Sequence, residues 1–170
     1  NKSTKENGGI FNHTQGWAMM AEAISGNGTQ AYQYFRASMP AAYNTKAEIR
    51  EIEPYVYSQS THGKYSPRYG ASRLPWLTGA ATWAFYAASQ YILGIRPEYN
   101  GITIDPCIPA DWNDIKVSRR FRGKMLDILI KNPDKKEKGI SKLELNGKIM
   151  DGNFIPMDLL AAQNTIVATL

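Results

Sequence analysis

Cysteine and histidine are scarce: the 170 residues contain one cysteine, Cys107, and two histidines, His13 and His62. A single thiol excludes an internal disulfide, and one thiolate with two distant imidazoles cannot build a thiolate-based metal site. No such metal site is therefore expected, and a reducing, cytoplasmic setting is; no metal and no cofactor is expected. Long apolar runs are also missing. Nothing approaches the roughly 18 residues a membrane helix needs, and Asn1-Lys2-Ser3-Thr4-Lys5-Glu6 lacks the apolar stretch of a signal peptide. No membrane partner is expected. The formal charge of +5 is spread along the chain rather than gathered into a stripe, so no nucleic-acid partner is expected either. The one dense basic group, Lys135-Lys136-Glu137-Lys138, reads as a solvated loop. Arg119-Arg120-Phe121-Arg122 reads as a strand with alternate residues in solvent.

What is present is ordinary in bulk and rich in flat rings. Hydrophobic residues make up 43% and charged residues 21%, and ten Tyr and four Trp supply amphipathic surfaces suited to sugar clefts and to cores alike. The length fits one domain or two small ones. There is no initiating Met, and chemistry-bearing residues begin almost at once, so the chain is expected to be a piece of a longer protein.

The periodicity changes from helical to extended near residue 100. Thr14 is expected to cap a first helix whose Trp17, Met20, Ala21 and Ile24 share a face and which Gly26 and Gly28 stop. A second helix should hold Ala31, Tyr34 and Phe35 on one face and end before Pro40. Residues 40–75 are irregular and broken by proline and glycine, which in a compact domain marks function. A third helix is expected from Thr78-Gly79 through Trp83, Tyr86, Ala87 and Tyr91 to Gly94. Beyond Pro97, alternation predicts strands at Ile102 and Ile104, at Ile115 and Val117, at Leu126, Ile128 and Ile130, and at residues 165–170. Asn146-Gly147 predicts a tight hairpin, because its turn needs positive φ at both central positions. The result is a few helices followed by a small antiparallel sandwich, with the boundary at 100.

Two segments carry candidate chemistry. In Lys5-Glu6-Asn7-Gly8-Gly9-Ile10-Phe11-Asn12-His13, paired glycines admit a close ligand while Lys5, Glu6 and His13 offer a cation, an acceptor and a titratable donor. Read alone, the same residues fit a polar loop. In Ser72-Arg73-Leu74-Pro75-Trp76-Leu77-Thr78-Gly79, a loop meets a helix start, where free N–H groups favour anions. Thr78 adds a hydroxyl, Gly79 an unobstructed amide and Arg73 a charge. Thr78 as a plain helix cap is the competing reading. Glu51 and Glu53 form a close carboxylate pair, and Glu53 is expected to fix its loop by hydrogen bonding. Trp76 and Trp83 are expected to pack, and His62 to be a surface or loop residue.

Taken together, the blocks Glu6-Asn7-Gly8-Gly9-Ile10-Phe11 with His13, Glu53-Pro54-Tyr55-Val56-Tyr57 with Gln59, and Trp76-Leu77-Thr78-Gly79 resemble the C-terminal part of glycoside hydrolase family 94, the cellobiose and chitobiose phosphorylases. So do Gln90-Tyr91-Ile92-Leu93-Gly94-Ile95, Ile104-Asp105-Pro106-Cys107-Ile108-Pro109 and Arg119-Arg120-Phe121-Arg122-Gly123, and the likeness covers almost the whole chain. It implies an α plus β fold in which residues 1–100 are closing helices of an (α/α)6 barrel and residues 101–170 a β-sandwich. It implies that His13, Thr78 and the Gly79 amide hold inorganic phosphate, a substrate rather than a cofactor. Lys5 and Glu6 would lie near the acceptor sugar and Gln59 near the donor sugar. The general acid is expected outside this chain, and the parent protein to be a homodimer. Asn12 departs from the small Cys of many relatives. Residues 60–70 look closer to chitobiose-type than to cellobiose-type members. A hydrolase fragment and a non-catalytic carbohydrate-binding module are the competing classes; a hydrolase would need a carboxylate placed to activate water.

Overall fold

The computed structural model describes residues 1–170 and divides them into two compact units. Unit 1 is residues 1–20 and 33–87, and unit 2 is residues 21–32 and 88–170. This differs from the expected division at residue 100, because the boundaries fall inside helices, where periodicity gives no break.

Unit 1 holds strand β1 (Ile10–Phe11), the start of helix α1 (His13–Ser25) and the end of helix α2 (Gly28–Ser38). A 3₁₀ segment (Pro40–Lys46) and the single turn α3 (Ala47–Arg50) follow, then β2 (Ser58–Thr61), β3 (Ser72–Pro75) and α4 (Ala80–Tyr86). The three strands form one antiparallel sheet, with β2 between β1 and β3. The helices close no barrel. Thr14 is not the cap of α1: it lies inside the first turn, where its hydroxyl donates to the Phe11 carbonyl at 2.9 Å. The expected apolar face is also not the buried one. Trp17 and Ile24 are exposed, whereas Gly16, Met19 and Ala23 are buried. Gly26, at φ +89°, ends α1, but Gly28 begins α2. On α2, Ala31 is buried and Tyr34 exposed. The third helix begins at Ala80, two residues later than expected, and at Ala87 loosens into a π-helical turn (Ala87–Ile92).

Unit 2 follows its pattern more closely. The hairpin β4 (Ile95–Glu98) and β5 (Gly101–Ile104) pairs with β10 (Phe154–Pro156). A five-stranded sheet has the order β6 (Ile115–Phe121), β7 (Lys124–Lys131), β11 (Gln163–Thr169), β8 (Lys142–Leu145), β9 (Lys148–Met150). It is not wholly antiparallel, since β11 runs parallel to β7 and antiparallel to β8. Leu126, Ile128 and Ile130 are buried on one face of β7, as alternation predicts. β5 does not alternate, because Ile102, Thr103 and Ile104 are all buried. Asn146 and Gly147, at φ +51° and +80°, make the hairpin turn between β8 and β9. Gly94 has φ +65°, and a Cβ there would lie 2.1 Å from the Asp105 carbonyl carbon, so both backbone angle and space demand glycine.

The basic run near 135 is not simply solvated. Lys138 donates to the Ala23 carbonyl at 2.8 Å and the Ile24 carbonyl at 3.3 Å, both in the last turn of α1, where carbonyls lack helical partners. Glu137 accepts from the Thr29 hydroxyl at 2.5 Å. Only Lys135 and Lys136 behave as a charged surface loop, with Lys136 paired to Asp134 at 3.1 Å.

Candidate functional site

All six residues singled out above, Lys5, Glu6, His13, Gln59, Thr78 and Gly79, fall in unit 1. Two of them meet directly: the Lys5 ammonium donates to Gln59 Oε1 at 2.5 Å across 54 residues of sequence. Lys5 sits at φ +48° in the turn that precedes β1, and Gln59 on β2, so the short sheet brings the N-terminal loop to the Gln59 side chain. Glu6 is exposed, and no hydrogen bond or ion pair holds its carboxylate.

His13 is the first residue of α1, and the residue before it fixes its position. The Asn12 N–H donates to the Gln59 carbonyl at 2.9 Å, and its side-chain amide donates to Ser58 Oγ at 2.7 Å and to the Ser58 carbonyl at 3.0 Å. Asn12 therefore ties the helix start to β2 with three bonds, of which a cysteine would keep the backbone one and lose the two made by the side-chain amide. The His13 ring lies edge-on to Phe11, centroids 6.1 Å apart, and to Trp17 at 5.7 Å.

Thr78 and Gly79 lie just before α4. The Ala80 N–H donates to Thr78 Oγ1 at 3.1 Å, so the hydroxyl oxygen serves the helix start while its proton is left to donate outward. Gly79 holds the cap position of α4, and Thr78 serves the first helical N–H from one residue outside it without losing donor capacity. Gly79 is exposed, and its N–H makes no backbone hydrogen bond. A run of aromatic rings links it to His13. Trp17 is edge-on to Trp83 at 5.8 Å, and a Cβ on Gly79 would touch the Trp83 indole at 3.5 Å. Gly16 permits this, since a Cβ on it would lie 2.8 Å from the Trp83 Cβ. Trp83 packs, as expected of it.

Trp76 does not pack: it is 64% exposed. Its backbone is in the left-handed region at φ +68°, and Leu74 two residues earlier is at φ +50°. Each such non-glycine residue costs on the order of 1–3 kcal/mol. The Trp76 indole N–H donates to Glu53 Oε1 at 3.1 Å, and Tyr55 meets the ring edge-on at 6.3 Å. Glu53 thus fixes its loop by hydrogen bonding. Its carboxyl is held below the usual range by its own backbone N–H first and by the indole second. Glu51 is engaged elsewhere, in an ion pair with Arg68.

His62 lies in a loop, as expected, but not at the surface. It is 4% exposed, its Nδ1 lies 2.7 Å from Ser66 Oγ, and its buried Nε2 has no hydrogen-bond partner. It lines a cavity of about 190 Å³ together with Thr4, Lys5, Ser60, Thr61 and Arg73. No carboxylate lines this space, and Lys5 and Arg73 give it two cations. No sequence period marks His62 as buried; a Ser four residues on in a loop is too common to signal it.

Chemically, this collection of ammonium, imidazole, hydroxyl and free amide beside flat rings can donate hydrogen bonds to an anion or a polyol. Comparison with known proteins narrows the class. Residues 1–94 match the catalytic domain of the glycosyl hydrolase 94 superfamily, and the chain belongs to that family. Over 169 residues it is 38% identical to an N,N'-diacetylchitobiose phosphorylase of Vibrio proteolyticus, a match covering 99% of this chain and 21% of that protein. It is 39% identical over 150 residues to the N,N'-diacetylchitobiose phosphorylase of Vibrio furnissii, covering 88% of this chain and 19% of the relative. A solabiose phosphorylase of Paenibacillus borealis is 32% identical over 152 residues, with 89% and 20% covered. The chain spans about a fifth of the length of these relatives.

Proposed function

We propose that this chain supplies the phosphate-holding residues and part of the sugar cleft of an inverting disaccharide phosphorylase. The observation that carries the reading is the placement of His13 and Gly79 at the two ends of one aromatic run, with Lys5 bonded to Gln59, whose carbonyl in turn accepts from Asn12 next to His13. The substrate is a β-linked disaccharide of the chitobiose or cellobiose type, and the two relatives at 38% and 39% identity favour chitobiose. The products are an α-sugar-1-phosphate and a free sugar. The parent protein is a cytoplasmic homodimer needing no cofactor.

Phosphate is already an anionic nucleophile, so no water has to be activated. The protein's task is to hold it in line with the anomeric carbon and to offset charge repulsion as the transition state gains oxocarbenium character. His13, the Thr78 hydroxyl and the Gly79 N–H perform that holding. Lys5 and Glu6 contact the acceptor sugar, and Gln59 the donor. Glu53 is tied to Trp76 and Glu51 to Arg68, so neither is offered as general acid. The acid comes from outside this chain, and the 170 residues alone turn nothing over.

Inorganic phosphate titrated into ¹⁵N-labelled chain is expected to move the His13 ring resonances and the Thr78 and Gly79 amides together. Shifts confined to other residues overturn the assignment. Incubation with chitobiose or cellobiose plus phosphate should release no sugar-1-phosphate. Sustained release would show that a general acid lies within the chain.

A further inference from the structure

We propose that Glu53 is a positioning residue for the Thr78–Gly79 turn, acting through the indole of Trp76; the proposal rests on the phosphate reading above. The backbone between β3 and α4 is unusually tight. The Leu77 N–H donates to the Pro75 carbonyl at 2.8 Å, and the Thr78 N–H donates to the Trp76 carbonyl at 3.0 Å. These are two successive three-residue turns. The first is centred on Trp76 at φ +68°, a geometry that non-glycine residues rarely hold unless their surroundings fix them.

Packing cannot be what fixes Trp76, because most of its surface is exposed. The restraints are the indole bond to Glu53 Oε1 and the edge contact with Tyr55. Both partners come from one braced loop. The Val56 N–H donates to the Glu53 carbonyl at 3.1 Å, Val56 itself is buried, and the Arg50 guanidinium donates to the Val56 carbonyl at 2.9 Å and the Pro54 carbonyl at 3.4 Å. A mechanical line runs from Arg50 through the Glu53–Val56 turn to Trp76, and from there into the turn that presents the Thr78 hydroxyl and the Gly79 N–H. If the indole is released, Trp76 relaxes toward negative φ, and the donors two and three residues downstream swing with it. Glu53 does this without touching the anion, which a carboxylate would repel.

The test compares the chain with Glu53→Ala, Glu53→Gln and Trp76→Phe by ¹H–¹⁵N spectra, with and without inorganic phosphate. Without phosphate, Glu53→Ala should shift the Trp76 indole and the Thr78 and Gly79 amides, and Trp76→Phe should shift the same amides. Glu53→Gln, which keeps an acceptor oxygen, should restore them. With phosphate, loss of the anchor should weaken binding roughly tenfold, and Glu53→Gln should recover it to within about twofold. Trp76→Gly is the decisive control, since glycine accepts φ +68° without an anchor: adding Glu53→Ala to it should change nothing further. An indole that moves while the Thr78 and Gly79 amides stay fixed overturns the proposal, as does a Glu53→Gln variant that behaves like Glu53→Ala. If phosphate leaves the wild-type Thr78 and Gly79 amides unmoved, the phosphate reading falls, and the phosphate-free spectra still decide whether Glu53 sets the turn.

Discussion

The two units distribute their hydrophobic side chains in opposite ways. Of the largest fully buried side chains, Met19 alone belongs to unit 1; the others, among them Ile102, Ile104, Leu126, Ile130 and Ile166, belong to unit 2. Unit 1 instead carries exposed Trp17, Tyr55, Trp76, Leu77 and Phe85, and five of the eight non-glycine residues with positive φ. A close-packed interior resists displacement, while exposed rings and strained turns keep donors available to a ligand. The packed core lies mainly in unit 2, and the residues proposed for recognition lie in unit 1.

The strongest way to break this contrast is through the five-stranded sheet. Ile166 is fully buried on β11, between Ile128 of β7 and Leu145 of β8. Ile166→Ala should lower unfolding free energy by about 2–5 kcal/mol in urea melts, and a loss well below that would deny unit 2 its role as the main core. A middle-sized effect is expected at Gly16. Alanine there gains about 0.5–1 kcal/mol of helix propensity, but its Cβ would lie 2.8 Å from the Trp83 Cβ and 3.1 Å from the Trp83 backbone. Overpacking of about 1–3 kcal/mol outweighs the gain. Gly16→Ala should therefore destabilise and change the near-ultraviolet dichroism of the Trp17–Trp83 pair; a stabilised variant would contradict the close approach.

The smallest expected effect is acid-dependent. The Glu53 carboxyl is held below its ordinary range in the folded chain, so the contribution of its ionised form is fully present above the unfolded value. It is lost as pH falls through the lowered folded one. Trp76 fluorescence should titrate in that acidic window in the wild type and not in Glu53→Gln, with little change in global stability because the group is exposed.

Legibility in the sequence also differed between the units. The β7 face, the Asn146-Gly147 hairpin and the glycine at 94 could be read directly, because strand period and positive φ are local properties. The buried face of α1 is not legible because Gly16 has no side chain to enter an apolar pattern, yet closes on Trp83, while the larger Trp17 and Ile24 lie outside. The parallel run of β11 beside β7 depends on a pairing about forty residues apart, which no local pattern encodes. In the candidate site, Lys5 and Gln59 share no sequence neighbourhood; the family resemblance implies a different sugar for each, and their direct bond across 54 residues is visible only in the structure. The bond between Glu53 and Trp76 was half visible: a loop-fixing role could be expected of the carboxylate, but its indole partner, 23 residues on, could not.

β11 is the last of the five strands in sequence and stands at the middle of their sheet, with β6 and β7 on one side and β8 and β9 on the other. Until it arrives, a growing polypeptide holds two separate hairpins, each showing an open, hydrogen-bond-hungry border to its surroundings. Biosynthesis must shelter both borders until one strand seals them in a single insertion, so the yield of soluble protein should depend on how quickly that seal is made.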